Sequence, residues 1–318
     1  MIVIRIFEIK KKNSVSLFIG MLLVTLFTLI ACNSIEDKNH NFVTNYGVSF
    51  SDQMGDKSFT NFPSRIASFS PEITEIIYAL GSGGQIVAIN DSSDYPLETA
   101  FLPKLGFMNI NVESIIKYDP NLIILTAGFE EVAHKLIGLG YQVIFFDAPK
   151  NITQLYDNII TMGKILDNHD GSEALVADLQ SQMNKTLLEV SKVKVQDKKT
   201  LFLEIDPMLY TASDNSFIGS LLKLANVTNI AASVAGSFPQ VSLEFIIDSN
   251  PDIILLADTD FGTSVENVLQ RDTWKNITAV KNKNIYAIEA DWISRAGPRF
   301  ILGLQQIISL VYEIEFAD

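Results

Sequence analysis

The chain is poor in the residues that most chemistry requires: one cysteine, three histidines and two tryptophans in 318 residues. A lone thiol allows no disulfide within the chain. The histidines stand at 40, 134 and 169, with no pair at ligand spacing, so a zinc or manganese centre of convergent imidazoles and carboxylates is not expected. Cations are scarce as well, 24 Lys and Arg against 37 Asp and Glu for a net charge of -13. No basic block follows Lys12, which excludes a general nucleic-acid binder, since phosphate contacts need clustered cations. There is no G-x-S-x-G elbow and no phosphate-binding lysine loop. "GSGG" at Gly81 to Gly84 follows a helical pattern and precedes a strand, the wrong order for a dinucleotide fingerprint. With no nucleophile, base or acid assembled by motif, no enzyme and no cofactor are expected.

What is present is apolar: 47% of the residues are hydrophobic and 10% aromatic, enough to bury a sizeable core in roughly two domains. The N-terminus has its own composition. Arg5 and Lys10 to Lys12 precede "SLFIGMLLVTLFTLIA", Ser16 to Ala31, the charged-then-apolar layout of an export signal. The run ends in "LIAC" at Cys32, which resembles the lipobox of bacterial lipoproteins, where the cysteine takes a diacylglycerol and the preceding segment is removed. The competing reading is a retained transmembrane helix, because about 16 apolar residues almost span a bilayer. Loss of residues 1 to 31 would remove four cations and Glu8, taking the chain from -13 to -16. Residues 32 to 62, polar and rich in Asn, read as a flexible tether.

From Arg65 strand and helix alternate, the strands apolar on both faces, which argues for α/β construction with mostly parallel sheets. "RIASF", "QIVAI", "NLIIL" and "QVIFF" read as strands, with "SPEITEIIYAL", "VESIIKYD" and "EEVAHKLIGLG" as the helices between. Residues 151 to 195 carry no strand-like run. They hold two amphipathic helices, the second about 23 residues or roughly 35 Å long. Alternation resumes at Lys199 with "TLFLEI", "DIILLA" and "NIYAIEA" as strands and "SFIGSLLKLA", "SLEFIIDSN" and "PRFILGLQQIISLVYEIE" as helices. The expected fold is two Rossmann-like lobes, residues 63–168 and 198–318, joined by one long helix over 169–197.

A repeated phrase supports the two lobes. "VESIIKYDPNLIIL" from Val112 and "LEFIIDSNPDIILL" from Leu243 align without a gap, matching Glu113 to Glu244 and Pro120 to Pro251. A proline that closes a helix before a strand accounts for Pro120 and Pro251. A glutamate in a first helical turn complements the helix dipole, so position alone does not assign Glu113 and Glu244 a function.

In open parallel sheets ligands sit outside the carboxyl ends of the strands. Those ends carry Ser70 and Pro71, Ser92 to Tyr95, Phe107 and Met108, Thr126 to Phe129, Asp147, Asp206 to Tyr210, Asp258 to Phe261, and Asp291 to Arg295. Aromatic and short polar groups dominate, and Arg295 is nearly the only cation.

The phrases "ADWISRAGPRF" (Ala290 to Phe300), "FPQVSLEFIIDSNPDIIL" (from Phe238) and "IASFSPEITEIIYALG…DYP" together resemble the substrate-binding proteins of ABC importers for cobalamin and ferric siderophores, most closely the cobalamin binders. These are class III, chelatase-like binding proteins, and the resemblance runs from about Pro63 to the C-terminus. It implies a lipid-anchored receptor at the cell membrane, acting as a monomer and passing a corrinoid to the membrane subunits, with the corrinoid as cargo and not as cofactor. It also implies docking of Glu113 and Glu244 on arginines of those subunits. Asp291 and Arg295 would meet the ligand's polar rim, and Trp292 is either a contact or a core residue. Ser70, Pro71, Ser92, Phe107, Thr126, Asp206, Tyr210 and Phe238 complete the expected ligand set. Where cobalamin binders carry Tyr or Trp along the N-lobe edge this chain has Ser92, Phe107 and Thr126, so only Phe107 keeps an aromatic face. A ferric siderophore or haem is the alternative cargo, and a surface enzyme on the same scaffold the alternative of another class.

Overall fold

The computed structural model describes residues 46–316. The expected export signal, Cys32 and residues 32–45 of the expected tether lie outside the described residues.

The remainder of that tether is built differently from the expectation. Val48–Asp52 (β1) and Gly55–Phe59 (β2) form an antiparallel hairpin in which Val48 faces Phe59 and Asp52 faces Gly55. Gly55 takes φ 101° at the turn, a conformation open to glycine at little cost. Phe50 packs edge-on against Phe59 with centroids 5.6 Å apart, and Phe59 is buried. Alternation of Val48, Phe50 and Phe59 with polar residues is the hairpin signal, and the surrounding Asn, Asp and Ser obscured it.

In the first lobe Ile66–Ser68 (β3), Ile86–Asn90 (β4), Lys104–Leu105 (β5), Leu122–Leu125 (β6) and Val143–Phe145 (β7) form one parallel sheet in the order β5-β4-β3-β6-β7. Pro71–Ala79 (α1), Val112–Ile116 (α2) and Glu130–Gly138 (α3) supply the crossovers. Ser70 caps α1 by accepting the Ile73 amide at 3.3 Å, and Pro71 takes the first turn, where a missing N–H costs nothing. In the second lobe Thr200–Glu204 (β8), Thr228–Asn229 (β9), Ile253–Leu256 (β10) and Ile285–Ala287 (β11) pair in the order β11-β10-β8-β9, again all parallel. Its helices are Phe217–Leu224 (α6), Leu243–Ser249 (α7), Val265–Leu269 (α8), Thr278–Asn282 (α9), Ala290–Ser294 (α10) and Phe300–Tyr312 (α11). Between the lobes lie Ile152–Ile165 (α4) and the 22-residue His169–Val190 (α5), the latter about 33 Å long.

The repeated phrase occupies equivalent places. β6 lies between β3 and β7, and β10 lies between β8 and β11. Each preceding helix begins at a side-chain cap, Asn111 to the Ser114 amide and Ser242 to the Phe245 amide. Each closes on a left-handed residue before proline, Asp119 at φ 48° and Asn250 at φ 43°. A residue before proline is pushed out of the right-handed helical region, and Asp and Asn are the side chains that best tolerate the left-handed one.

One apolar cluster runs from Ile73, Ile76 and Ile89 of the first lobe through Leu155 and Ile159 of α4 and Leu179 of α5 to Leu203, Leu221 and Leu304 of the second. Tyr156 of α4 meets Phe300 of α11 edge-on at 6.3 Å. Gly163 permits the close crossing of α4 and α5, because a Cβ there would lie 2.1 Å from Ser172 Oγ. The outer face of each sheet has its own cluster, around Phe69, Ile115 and Leu136 in the first lobe and around Phe202, Ile246 and Trp274 in the second. Among the described residues no helix is long and apolar enough to cross a membrane.

The hairpin docks on the exposed edge of the first sheet. Asp52 Oδ2 accepts the Phe145 amide of β7 at 2.9 Å, Gln53 Nε2 donates to Asp147, and the Tyr46 hydroxyl donates to the Ile165 carbonyl at 2.8 Å. Asp52→Ala removes the acceptor from a buried amide, so a loss of about 1–3 kcal/mol is expected in urea unfolding. Faster amide exchange across residues 143–146 should accompany it, and unchanged exchange there would mean that Asp52 does not hold the hairpin to the edge.

Candidate ligand-binding site

The carboxyl ends of the two sheets confront one another. Loops after β6 and β7 contribute Thr126, Pro149 and Lys150, the first turn of α1 contributes Glu72, and the second lobe answers with Asn215, Phe217, Phe238, Ser294 and Ala296 around a cavity of about 370 Å³. Thr126 and Phe238 therefore stand on opposite walls, Phe238 half exposed at 51%. Phe107 lies on the first-lobe rim, where its ring meets Phe129 at 4.7 Å. Pro71 is half-buried next to Glu72, and Tyr210 is half-buried in a turn bridged to Asp206 and Gln240.

Other expected contacts are otherwise engaged. Ser70 is fully buried, its hydroxyl accepting the Ile73 amide as the α1 cap and its carbonyl accepting from the Ser68 and Thr74 hydroxyls, so it offers nothing to a ligand. Asp206 is drawn into its own turn, accepting the Met208 amide at 2.7 Å. Ser92 is exposed on the loop after β4 and does not line the cavity. Trp292 is half-buried and also absent from that lining; its carbonyl lies where a side chain on Gly303 of α11 would sit, 2.6 Å away. Glu113 and Glu244 are both exposed in the first turns of α2 and α7.

Next to Ser294 and Ala296 of that lining, though not themselves part of it, charged side chains from the loops after β4 and β11 join the lobes. Arg295 Nη2 pairs with Asp291 Oδ2 at 2.8 Å within the second lobe, while its Nη1 reaches Asp94 Oδ1 at 2.5 Å and Glu75 Oε1 at 3.7 Å in the first. Arg299 grips Glu75 with two hydrogen bonds of 2.9 and 2.5 Å and lies over the Tyr95 ring, 4.0 Å from its centroid. Glu75 is nearly sealed, its side chain 2% exposed. Burial pushes its carboxyl upward and the two guanidiniums draw it back. The hydrogen bond from Arg295 holds Asp94 below the ordinary carboxylate range, whereas burial raises Asp291. Glu75 and Arg299 were not singled out from the sequence, while Asp94 and Tyr95 fell within the strand-end stretch Ser92 to Tyr95 without entering the expected ligand set. The available signal was Arg299, four residues past Arg295 in "SRAGPRF".

Behind the second-lobe rim lies a further polar group. Arg271 binds Glu204 through two bonds of 2.6 Å and stacks 4.4 Å from the Trp274 ring centre. Glu204 ends β8 and Asp258 lies two residues past β10, both fully buried; Asp258 Oδ2 accepts from Thr263, and its Oδ1 has no protein partner. Two buried carboxyls thus face one arginine, and burial, aided for Glu204 by the neighbouring Asp258, raises both. Among the described residues no three His, Cys, Asp or Glu side chains are placed to hold a metal ion.

The family described as periplasmic binding protein matches residues 66–292. The chain belongs to that family. Its members bind and carry small molecules, so no acid, base or nucleophile set is required, in keeping with the missing catalytic motifs. Among curated relatives, a Bacillus subtilis protein named an uncharacterised ABC transporter substrate-binding lipoprotein, YvrC, is 29% identical over 80% of this chain and 82% of its own length. A vitamin B12-binding protein of Vibrio vulnificus is 26% identical over 79% of this chain and 91% of its own. A crystal structure described as a possible iron-binding, periplasmic solute-binding protein from Staphylococcus epidermidis superposes with a TM-score of 0.70 at 29% identity, covering 79% of this chain and all of that one. The periplasmic binding protein fold thus holds its two parallel sheets tip to tip with a cavity between.

The pair Glu204 and Asp258 gives this binding protein a pH signature. Carboxyls raised in the folded state contribute stability that is fully present below their unfolded pKa and is lost as pH rises through the folded values. Wild type should therefore lose stability relative to Asp258→Asn as pH rises above the ordinary carboxylate range near about pH 4, read as the difference between their urea midpoints. A difference constant with pH would show that the pair keeps no proton.

Proposed function

We propose that this protein is the lipid-anchored receptor of an ABC importer, capturing a corrinoid between its lobes and delivering it to the membrane subunits. The observation that carries the cargo reading is the chemistry of the cleft. Its lining is mostly aromatic and short polar, with Phe217, Phe238, Thr126, Asn215 and Ser294, Phe107 stands on the first-lobe rim against Phe129, and both arginines beside it are already paired with carboxylates. An anionic cargo favours free Arg or Lys, while a macrocycle edged with neutral amides suits hydrogen-bonding groups set among aromatic walls. The Vibrio vulnificus relative, named for vitamin B12, supports the same choice.

A cavity of about 370 Å³ accommodates one edge of a corrinoid and not the whole, so the remainder would rest between the rims Phe107 and Phe238 or part the lobes. The second reading, a ferric siderophore or haem, is favoured by the Staphylococcus epidermidis likeness and by Lys150 on the cavity wall. The anchor would be Cys32, as the lipoprotein name of the Bacillus subtilis relative suggests.

Titration of the mature protein with cyanocobalamin should quench its Trp and Tyr emission with a Kd of roughly 1 µM or below. Phe107→Ala and Phe238→Ala should each weaken binding about tenfold, the loss of one stacking face. A flat titration beside saturable binding of a ferric siderophore or haemin would replace the corrinoid reading with the second one.

Delivery depends on the exposed pair. Glu113 and Glu244 stand at corresponding positions, one per lobe, suited to seating on cations of a membrane partner and setting its orientation. The double substitution to Ala should lower association with transporter-containing vesicles roughly tenfold and leave cargo affinity as it was. Lost cargo binding instead would move these residues from the docking face into the cleft.

A further inference from the structure

Arg295 carries the charge nearest the middle of the interlobe network, and three carboxylates converge on it. Asp291 comes from its own helix and Glu75 from the buried side; the third, Asp94, crosses from the opposite lobe and makes the shortest contact, 2.5 Å. The three are not equivalent. Glu75 is 2% exposed and is held by Arg299 as well, so it cannot withdraw without stranding two guanidiniums. Asp291 lies one helical turn from Arg295 on the same segment. Asp94 is 58% exposed on the loop after β4 and is the member that can swing into water.

We infer that Asp94 is a charge filter for the cleft: by occupying Arg295 from the opposite lobe it denies that guanidinium to carboxylate-bearing cargo and leaves the site selective for cargo with a neutral, amide-edged rim. The inference rests on the cleft reading proposed above and adds the residue that discriminates. Three carboxylates against Arg295 and Arg299 leave the network one negative charge in excess. An incoming carboxylate must therefore displace Asp94 and still meet Asp291 and Glu75. An amide has no such obligation, since it can donate to the carboxylates and accept from solvent or backbone. Like charge brought close in a partly desolvated site costs more than the attraction of one shared arginine returns. The acidity of the chain as a whole acts over longer range and is screened at physiological salt, whereas a contact of this length is screened little.

The experiment compares matched cargo of one shape and two charges, by calorimetry in 0.15 M salt. Cyanocobalamin is paired with its monocarboxylic acid, in which one side-chain amide has become a carboxylate; haemin dimethyl ester is paired with haemin. For wild type the neutral member of a bound pair should win by tenfold or more. Asp94→Asn, which keeps the side chain's size, should bring that ratio to within about threefold, and Asp94→Glu should restore it. A purely structural latch would change both members of a pair together and leave the ratio where it was. An unchanged ratio in Asp94→Asn, or a wild type with no preference for the neutral member, overturns the inference. If the corrinoid pair does not bind and the haem pair shows the shift, the corrinoid reading fails while the filter stands. Failure of both pairs to bind wild type and variant alike counts against both.

Discussion

A parallel sheet has no face that it can leave to water, because its strands are apolar on both sides. In this chain the two sheets meet that requirement with shared material. Helices α4, α5 and α11 cover inner faces of both lobes, so Ile76, Leu155, Leu179, Leu203 and Leu304 belong to one continuous cluster. The lobes are consequently joined by packing as well as by chain, and Tyr156 against Phe300 is part of that joint. From this constraint the placement of the site follows. With the inner faces fused, the carboxyl ends of the strands are held opposite one another, and the loops that follow them enclose the cavity.

The same geometry explains why charged groups gather where β4 and β11 end. Residues there are close to both lobes and shielded by them, so an unpaired charge would be costly. Glu75 is sealed between two arginines, and Arg299 spreads its plane on Tyr95. The result is an interlobe contact that is polar, directional and incomplete on one side, since Asp94 remains largely in water. The lobes are thus joined twice, by the continuous apolar cluster and by this partly wet ionic contact.

Much of this was legible along the chain. The strands show as short apolar runs and the helices as caps followed by 3.6-residue spacing, as Ser70 with Pro71 illustrates. The repeated phrase marked equivalent units because it repeats a physical device, a capped helix closed by a left-handed Asp or Asn before proline. The hairpin was not legible, because its apolar residues are few and are supported by β7, Asp147 and Ile165, far away in sequence. Ser70 could be placed at a strand end and still not foreseen as buried, since the network that seals it includes Ser68 and Thr74.

The sequence by itself determined the two-lobed α/β construction, the long connection, the acidic surface and the lack of catalytic groups, because each is a matter of residue type and short-range period. Which carboxylate faces which arginine was decided by tertiary structure alone. Glu75 and Arg299 stand 224 residues apart and Asp94 and Arg295 stand 201 apart, and no local pattern couples positions at such separations. Only the fused core sets those side chains within bonding distance, and with them the charge that an incoming molecule meets.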